Sequence, residues 1–376
     1  MILVDPATRQ AVGNAPLPGA VRDDSGLYRL TLPPTAAIAD TSITLDGRRV
    51  TMVLWPLPAD DDDRDVLLMH ESYHRIAPQL GLQGSSGLGT NEHLDTQDGR
   101  TWLRGELHAL RVALVSNGME RRVALRDAIA MRLYRRTLFA NAAADERGVE
   151  LNEGLAESTG IDVGLPAEKR IAYALTDIGR VEGAASYVRG FPYGTGPAYA
   201  ELLDAADGDW RRALRPDSDL AIEAQRAYGL SVMAPAANEA TAILARYDGL
   251  KIEAEESERV RAIAARNARY QRNLVDGPTL TLPLRNMQIQ FNPSAVEAFG
   301  TVGSVYHTLT IGDRWGTLHV SGGDALISKS FSNVTVSAPK SVTSQIIEGS
   351  GWTLDLAPAA KVIADPERPG SFVLAP

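Results

Sequence analysis

The chain contains no cysteine, which excludes disulfides, thiolate metal sites and a cysteine nucleophile together. No apolar run approaches the ~20 residues needed to span a bilayer, so no membrane span is expected. Basic residues are the minority: 38 Lys and Arg against 47 Asp and Glu give a formal charge of −9. That balance argues against nucleic acid or an anionic membrane as the main partner, because both require a clustered basic surface. The start, Met1-Ile2-Leu3-Val4-Asp5-Pro6, has neither the basic nor the apolar region of a secretory leader. The absence of cysteine suits an exported protein as well as a cytosolic one. The expectation is an extracytoplasmic protein, periplasmic or secreted, with a cytoplasmic one as the alternative. No internal repeat stands out at a solenoid period. What remains is ordinary globular composition, 44% hydrophobic and 23% charged over 376 residues, enough for two domains.

Histidine is scarce too, with six in the chain, and two of them fall in Leu67-Leu68-Met69-His70-Glu71-Ser72-Tyr73-His74. This is H-E-x-x-H in a segment that reads as helix. Four residues make slightly more than one turn, so both imidazoles leave one face and can grip one metal ion. Glu71 projects beside them, where a carboxylate can take a proton from water at the metal. The plainer alternative is a core helix carrying two hydrogen-bonded histidines.

A second acidic pattern supports the sharper reading. Leu151-Asn152-Glu153-Gly154-Leu155-Ala156-Glu157-Ser158 carries two acids spaced i, i+4. A two-histidine zinc site needs a third protein ligand, which Glu153 can supply. Glu157, one turn on, can accept the free N–H of a ligating imidazole and fix its tautomer.

Together the two motifs resemble the gluzincin metallopeptidases, the superfamily of thermolysin-like enzymes and zinc aminopeptidases. Their third ligand lies in an N-E-x-x-(S/A)-(D/E) or N-E-G-x-A helix downstream of H-E-x-x-H. The resemblance covers roughly residues 64–160. It implies Zn2+ held by His70, His74 and Glu153, with Glu71 as general base and Glu157 as an acid behind a ligating imidazole. Gluzincins also place a Tyr or His donor at the oxyanion of the tetrahedral intermediate. Tyr193 and Tyr199 are candidates here, with Tyr193 favoured because Phe191-Pro192-Tyr193-Gly194 reads as a turn feeding a helix. Two departures stand out. Glu153 lies 79 residues beyond His74, a longer excursion than the compact thermolysin-like arrangement. The aminopeptidase G-x-M-E-N motif is missing, and Gly118-Met119-Glu120-Arg121 echoes it only in part, on the wrong side of the histidines.

Other residues compete for roles. Leu103, Leu107, Leu110 and Leu114 form an apolar helical stripe, and Glu106 falls beside it. A carboxylate there needs a partner. Glu106 is therefore a rival third ligand, an acid behind the ligands, or one half of a salt bridge to arginine. His93, in Asn91-Glu92-His93-Leu94-Asp95, is a substrate-binding candidate, as is Tyr199; a solvated loop histidine and a core tyrosine are the bland alternatives. The acidic run at residues 60–63 fits the N-terminus of the H-E-x-x-H helix, with calcium binding as the sharper option. Five glycines, Gly81, Gly84, Gly87, Gly89 and Gly99, mark a loop without the Gly-Lys-Ser/Thr ending of a phosphate loop.

Along the chain, Thr41–Leu45 and residues 49–55 flank Asp46-Gly47 as a hairpin. A strand beside the metal helix would offer an extended substrate an edge to pair with. Helical patterns follow, including residues 124–138 and 253–270. From Pro278 the texture changes to short β-rich runs at 279–284, 287–291, 304–310, 316–320, 333–336 and 371–374. His307 and His319 lie there without an acidic pattern, so a second metal site is not expected.

These readings combine into an α+β protein. Residues 1–275 form a helix-rich, zincin-like domain, β-rich over 1–60 and helical over 64–275, and residues 276–376 an all-β sandwich or barrel. The expected function is zinc-dependent hydrolysis of peptide or protein substrates. The alternatives are an inactive zinc-binding relative, or a protein that binds a surface or partner through its C-terminal β domain.

Overall fold

The structure is a computed structural model that describes residues 1–45, 47–82, 90–206, 208–292, 295–342 and 344–375. Asp46 of the hairpin turn and loop glycines Gly84, Gly87 and Gly89 lie outside the described residues. The protein is mixed α+β, and its chain divides into two compact units, Met1–Ser257 and Glu258–Pro376.

The first unit opens with six strands: β1 (Ile2–Val4), β2 (Gln10–Gly13), β3 (Val21–Arg22), β4 (Tyr28–Thr31), β5 (Thr41–Leu45) and β6 (Arg48–Leu54). They form one sheet in the order β3-β4-β2-β1-β6-β5. Only β1 and β6 run parallel; β5 pairs antiparallel with β6 and forms an edge of the sheet. Helices follow: α1 (Asp61–Ile76), α2 (Gln97–Val115), α3 (Gly118–Leu138), α4 (Ala142–Val149), α5 (Leu155–Gly164), α6 (Ala167–Glu182), α7 (Phe191–Ala206), α8 (Leu220–Ala227), α9 (Ala237–Leu244) and α10 (Gly249–Tyr270). A π-helical turn, Glu150–Gly154, joins α4 to α5.

Local chemistry starts α1 where the acidic run of the sequence places it. Asp60 caps α1, its carboxylate accepting from the Asp63 amide at 3.0 Å. The other acids of that run are occupied by cations rather than gathered round one: Asp61 bonds Arg64, Asp62 bonds Lys169, and Asp63 bonds Arg180 and Tyr173. They serve the helix N-terminus and its neighbours, as the bland reading had it. The stripe Leu103, Leu107, Leu110 and Leu114 is buried in the main apolar core together with Leu125, Ile129 and Leu203.

One helix begins earlier than expected. Phe191 to Gly194 reads as a turn because of its proline and glycine, yet α7 already starts at Phe191. Proline in a first helical turn forfeits no hydrogen bond, which removes the objection.

The second unit holds the C-terminal half of α10 and a sheet built from β7 (Thr279–Pro283), β8 (Gln288–Phe291), β9 (Val296–Phe299), β10 (Gly303–Asp313), β11 (Gly316–Ser328), β12 (Asn333–Ser337), β13 (Ile346–Gly349), β14 (Trp352–Leu356), β15 (Val362–Ala364) and β16 (Phe372–Leu374). The described strands run β13-β14-β11-β12-β7-β16-β15, with β10 joining β11 to β8 and β9, and do not close into a barrel. The long β11 pairs with β10 along its length on one side, and on the other with β14 along its first half and β12 along its second. Trp352 and Leu354 alternate with exposed Thr353 and Asp355, the period-two pattern of a one-sided strand.

The unit boundary falls inside α10, earlier than residue 275. The reason is a small cluster in which Tyr270 and Leu274 pack with Phe299, Val305 and Leu326. A fragment beginning at Glu258 keeps this cluster; one beginning at residue 276 loses Tyr270 and Leu274, the latter alone worth roughly 1.5–3 kcal/mol. Urea denaturation of the two fragments should therefore find the longer one more stable, and equal midpoints would rule out the cluster's contribution.

Candidate metal centre

Helix α1 presents Val66, His70, Glu71 and Tyr73 to the interior. Helix α5 lies against it at very short range. A Cβ on Gly160 would meet the Val66 carbonyl oxygen at 2.7 Å, so only glycine permits this approach. Ile161 and Leu165 pack with Val66 at the same contact. The close approach brings the π-helical turn and the start of α5 over the histidines.

The two imidazoles converge, with Nε2 of His70 and Nε2 of His74 3.0 Å apart. Oε2 of Glu153 lies 3.5 Å from the first and 3.4 Å from the second. A tetrahedral zinc with bonds of about 2.0–2.2 Å sets its donor atoms roughly 3.3–3.5 Å apart, so these three atoms suit a single ion. Oε1 of Glu71 sits 4.0 Å from Nε2 of His70. Its other oxygen, Oε2, is buried without a hydrogen-bond partner. A donor atom from each of His70, Glu71 and His74 can be chosen with all three within 4.8 Å of one another. Glu153 lies nearer Nε2 of His70 than Glu71 does and also reaches Nε2 of His74, which leaves Glu71 beside the donor triangle with a free oxygen. The residues present therefore fit zinc.

Behind this group, Oε2 of Glu157 lies 2.7 Å from Nδ1 of His70. That contact keeps a proton on Nδ1, so that loss of the other ring proton frees the Nε2 lone pair for a metal. Tyr193 stacks on His70 with ring centroids 5.6 Å apart and donates its hydroxyl to Oε2 of Glu153 at 2.9 Å. Asn152 donates to the other oxygen of Glu153 at 2.7 Å.

Burial alone would lower the proton affinity of His70, but the carboxylates of Glu153 and Glu157 outweigh it and push its pKa up to about 10. The same carboxylates that hold that proton attract a cation. Glu153 resists burial and is held well below the usual carboxylate range by His70, His74 and Tyr193. Glu71 moves the other way, pushed up by burial and by the neighbouring carboxylates of Asp40 and Glu153 against the pull of the two histidines.

The group opens onto a cleft of about 900 Å³. Its walls include Asp40, Thr41 and Ser42 at the β5 edge, and Tyr173, Asp177 and Arg180 of α6. None of these six was singled out from the sequence. A carboxylate or hydroxyl on a short strand or amphipathic helix carries no motif, and only the packing of α6 and β5 beside α1 brings them here.

Other sequence candidates are placed elsewhere. Glu106 is fully buried between Arg132 and Arg135 and accepts from Tyr199, so both Glu106 and Tyr199 belong to an internal ion network. The salt-bridge alternative is the one realised for Glu106, and Tyr199 does not line the cleft. His93 pairs with Glu146 at 2.9 Å beside Phe139, also away from the cleft walls. In the second unit His307 does face acids, bonding Asp324 at 2.8 Å with Glu297 3.7 Å away. Those acids lie on β9 and β11, out of sight of any local pattern.

Asp177 yields a pH prediction. Arg180 donates to its Oδ1 at 2.9 Å, while its Oδ2 is buried without a partner. Burial, followed by the nearby Glu157 carboxylate, pushes its pKa up to about 8. The unfolded chain releases that proton near the ordinary value of about 3.9. Between these values the folded state binds more protons, so the Asp177 contribution to stability falls as pH rises through that window. Asp177→Asn should flatten the decline in denaturation midpoint between about pH 4 and pH 8. A decline as steep as in the parent protein would place the titrating proton on another group.

Comparisons with protein-family models, with curated proteins and with solved structures each found no match to this chain.

Proposed function

We propose that the N-terminal unit is a zinc-dependent peptidase. The observation that carries this reading is the donor triangle of His70, His74 and Glu153, with Glu71 beside it and one buried oxygen unpartnered. Zinc at this triangle would bring the pKa of a water molecule toward ~7 and polarise the scissile carbonyl.

The protein's own groups supply the rest. Glu71 takes the proton of the attacking water and delivers it to the leaving amine. Its raised proton affinity suits both halves of that transfer, because a carboxylate too acidic would not hold the proton between them. Tyr193 turns its hydroxyl from Glu153 toward the developing oxyanion. Glu157 keeps the His70 ring in one tautomer throughout. Thr41 and Ser42 lie on the sheet edge that borders the cleft, where an extended peptide can add as a further strand.

The reading is tested by metal analysis of the purified protein together with digestion of an unbiased peptide library. Stoichiometric zinc with metal-dependent cleavage is the expected result. A full zinc complement without cleavage of any peptide would leave a metal-holding protein and end the peptidase assignment.

A further inference from the structure

Beneath the turn that carries Glu153 lies a cluster of charges out of reach of water. The side chains of Arg132, Arg135, Glu106 and Glu146 are 0% exposed, and that of Glu150 is 1% exposed. Arg132 forks onto Glu150 with contacts of 2.7 and 2.6 Å and gives its third donor to Glu106 at 2.6 Å. Arg135 bridges Glu106 and Glu146. Desolvating so many ions is costly, and apolar residues of equal volume commonly match or exceed such a network in stability. Stability by itself is therefore a poor reason for this cluster, and its location suggests a better one.

Glu150 and Glu153 share the five-residue π-helical turn Glu150–Gly154. Turns of this kind are rare and concentrate at functional sites, because they shift the side chains that follow relative to a regular helix. Both ends of the turn are also tied to α7. Thr195 donates to Oε1 of Glu150 at 2.5 Å, and Tyr193 donates to Oε2 of Glu153 at 2.9 Å. At the last residue of the turn the backbones touch: a Cβ on Gly196 would fall 2.4 Å from the Cα of Gly154. Pinning the Glu150 carboxylate thus fixes the rotation and height of the turn, and Glu153 is three residues along it.

We infer that Glu150, gripped by Arg132 and Thr195, is a positioning residue for Glu153, and that this local grip, rather than the network as a whole, sets the register of the ligand-bearing turn. The inference rests on Glu153 being a zinc ligand, as proposed above.

The test measures zinc affinity by competition with a chromophoric chelator, alongside urea denaturation, on the full chain. Glu150→Gln should weaken zinc binding by roughly 10–100-fold, the range for groups that support a ligand. Glu146→Gln is the control, equally buried and bonded to Arg135, Arg136 and His93, but outside the turn. It should lose stability while holding zinc as the parent does. If Glu150→Gln does not fold, Thr195→Val carries the test: it removes one hydroxyl, should weaken zinc binding in the same direction, and should be rescued by Thr195→Ser. Equal zinc loss in Glu150→Gln and Glu146→Gln would make the network purely structural and overturn the inference, as would unchanged affinity in both Glu150→Gln and Thr195→Val. A parent protein that takes up no zinc at all would remove the metal assignment itself, and this inference with it.

Discussion

Glu71→Gln should keep its zinc and lose at least ~10²-fold in turnover, the usual cost of removing a general base. Gln preserves the shape of the buried side chain, and the three atoms best placed for the ion belong to other residues. What disappears is the capacity to hold a proton at the Glu71 oxygen that is buried without a partner. Zinc content by elemental analysis and turnover on the best library peptide separate the two effects. Turnover near that of the parent would remove Glu71 from the mechanism, whereas loss of zinc would make it a ligand and return Glu153 to a supporting place.

Glu153→Ala should have the largest effect on the metal itself. It deletes the carboxylate oxygen that lies 3.4 and 3.5 Å from the two ring nitrogens, and zinc affinity should fall by more than the ~100-fold at the upper end for supporting groups. Mild chelation should then empty the site. Glu157→Ala should fall between this variant and the parent, since it frees His70 to turn without removing a donor. Glu106→Ala should behave differently in kind. Removing its carboxylate takes one carboxylate partner from each of Arg132 and Arg135 and leaves two buried guanidinium donors and the Tyr199 hydroxyl unsatisfied, a loss of about 3 kcal/mol in folding stability. Chelator competition and urea denaturation on the three variants give the order. Zinc lost from Glu106→Ala and kept by Glu153→Ala would reverse the ligand assignment.

The two helices of the centre were legible in the sequence because each carries its partners one turn apart, and helical periodicity is local. Their meeting was not. It depends on Gly160, an unremarkable residue until α1 is found resting on it. The π-helical turn was likewise invisible, since Leu151 to Ser158 reads equally well as regular α-helix. Glu106 shows how far pattern reasoning reaches: its place beside an apolar stripe demanded a partner, and the structure supplies two arginines from α3. Which partner it would be was beyond a local reading, because arginines on α3 look like a solvated face until the helix is packed. In the second unit the sequence marked the β texture and missed several short strands: β9 is held by the long β10, and β13 pairs with β14, itself missed, rather than standing on its own composition.

The glycine contact between α1 and α5 has a thermodynamic consequence for the metal. Because apolar packing and a backbone approach already hold His70, His74, Glu153 and Glu157 together, their assembly draws on the folding of the whole unit. Ion binding need not order the chain, in contrast to small metal domains whose binding free energy is their folding free energy. Zinc uptake should then release protons held by the histidine and carboxylate group while leaving far-ultraviolet circular dichroism unchanged. Calorimetric titration in buffers of different ionisation enthalpy would register the centre as a proton-for-metal exchanger set in a rigid frame.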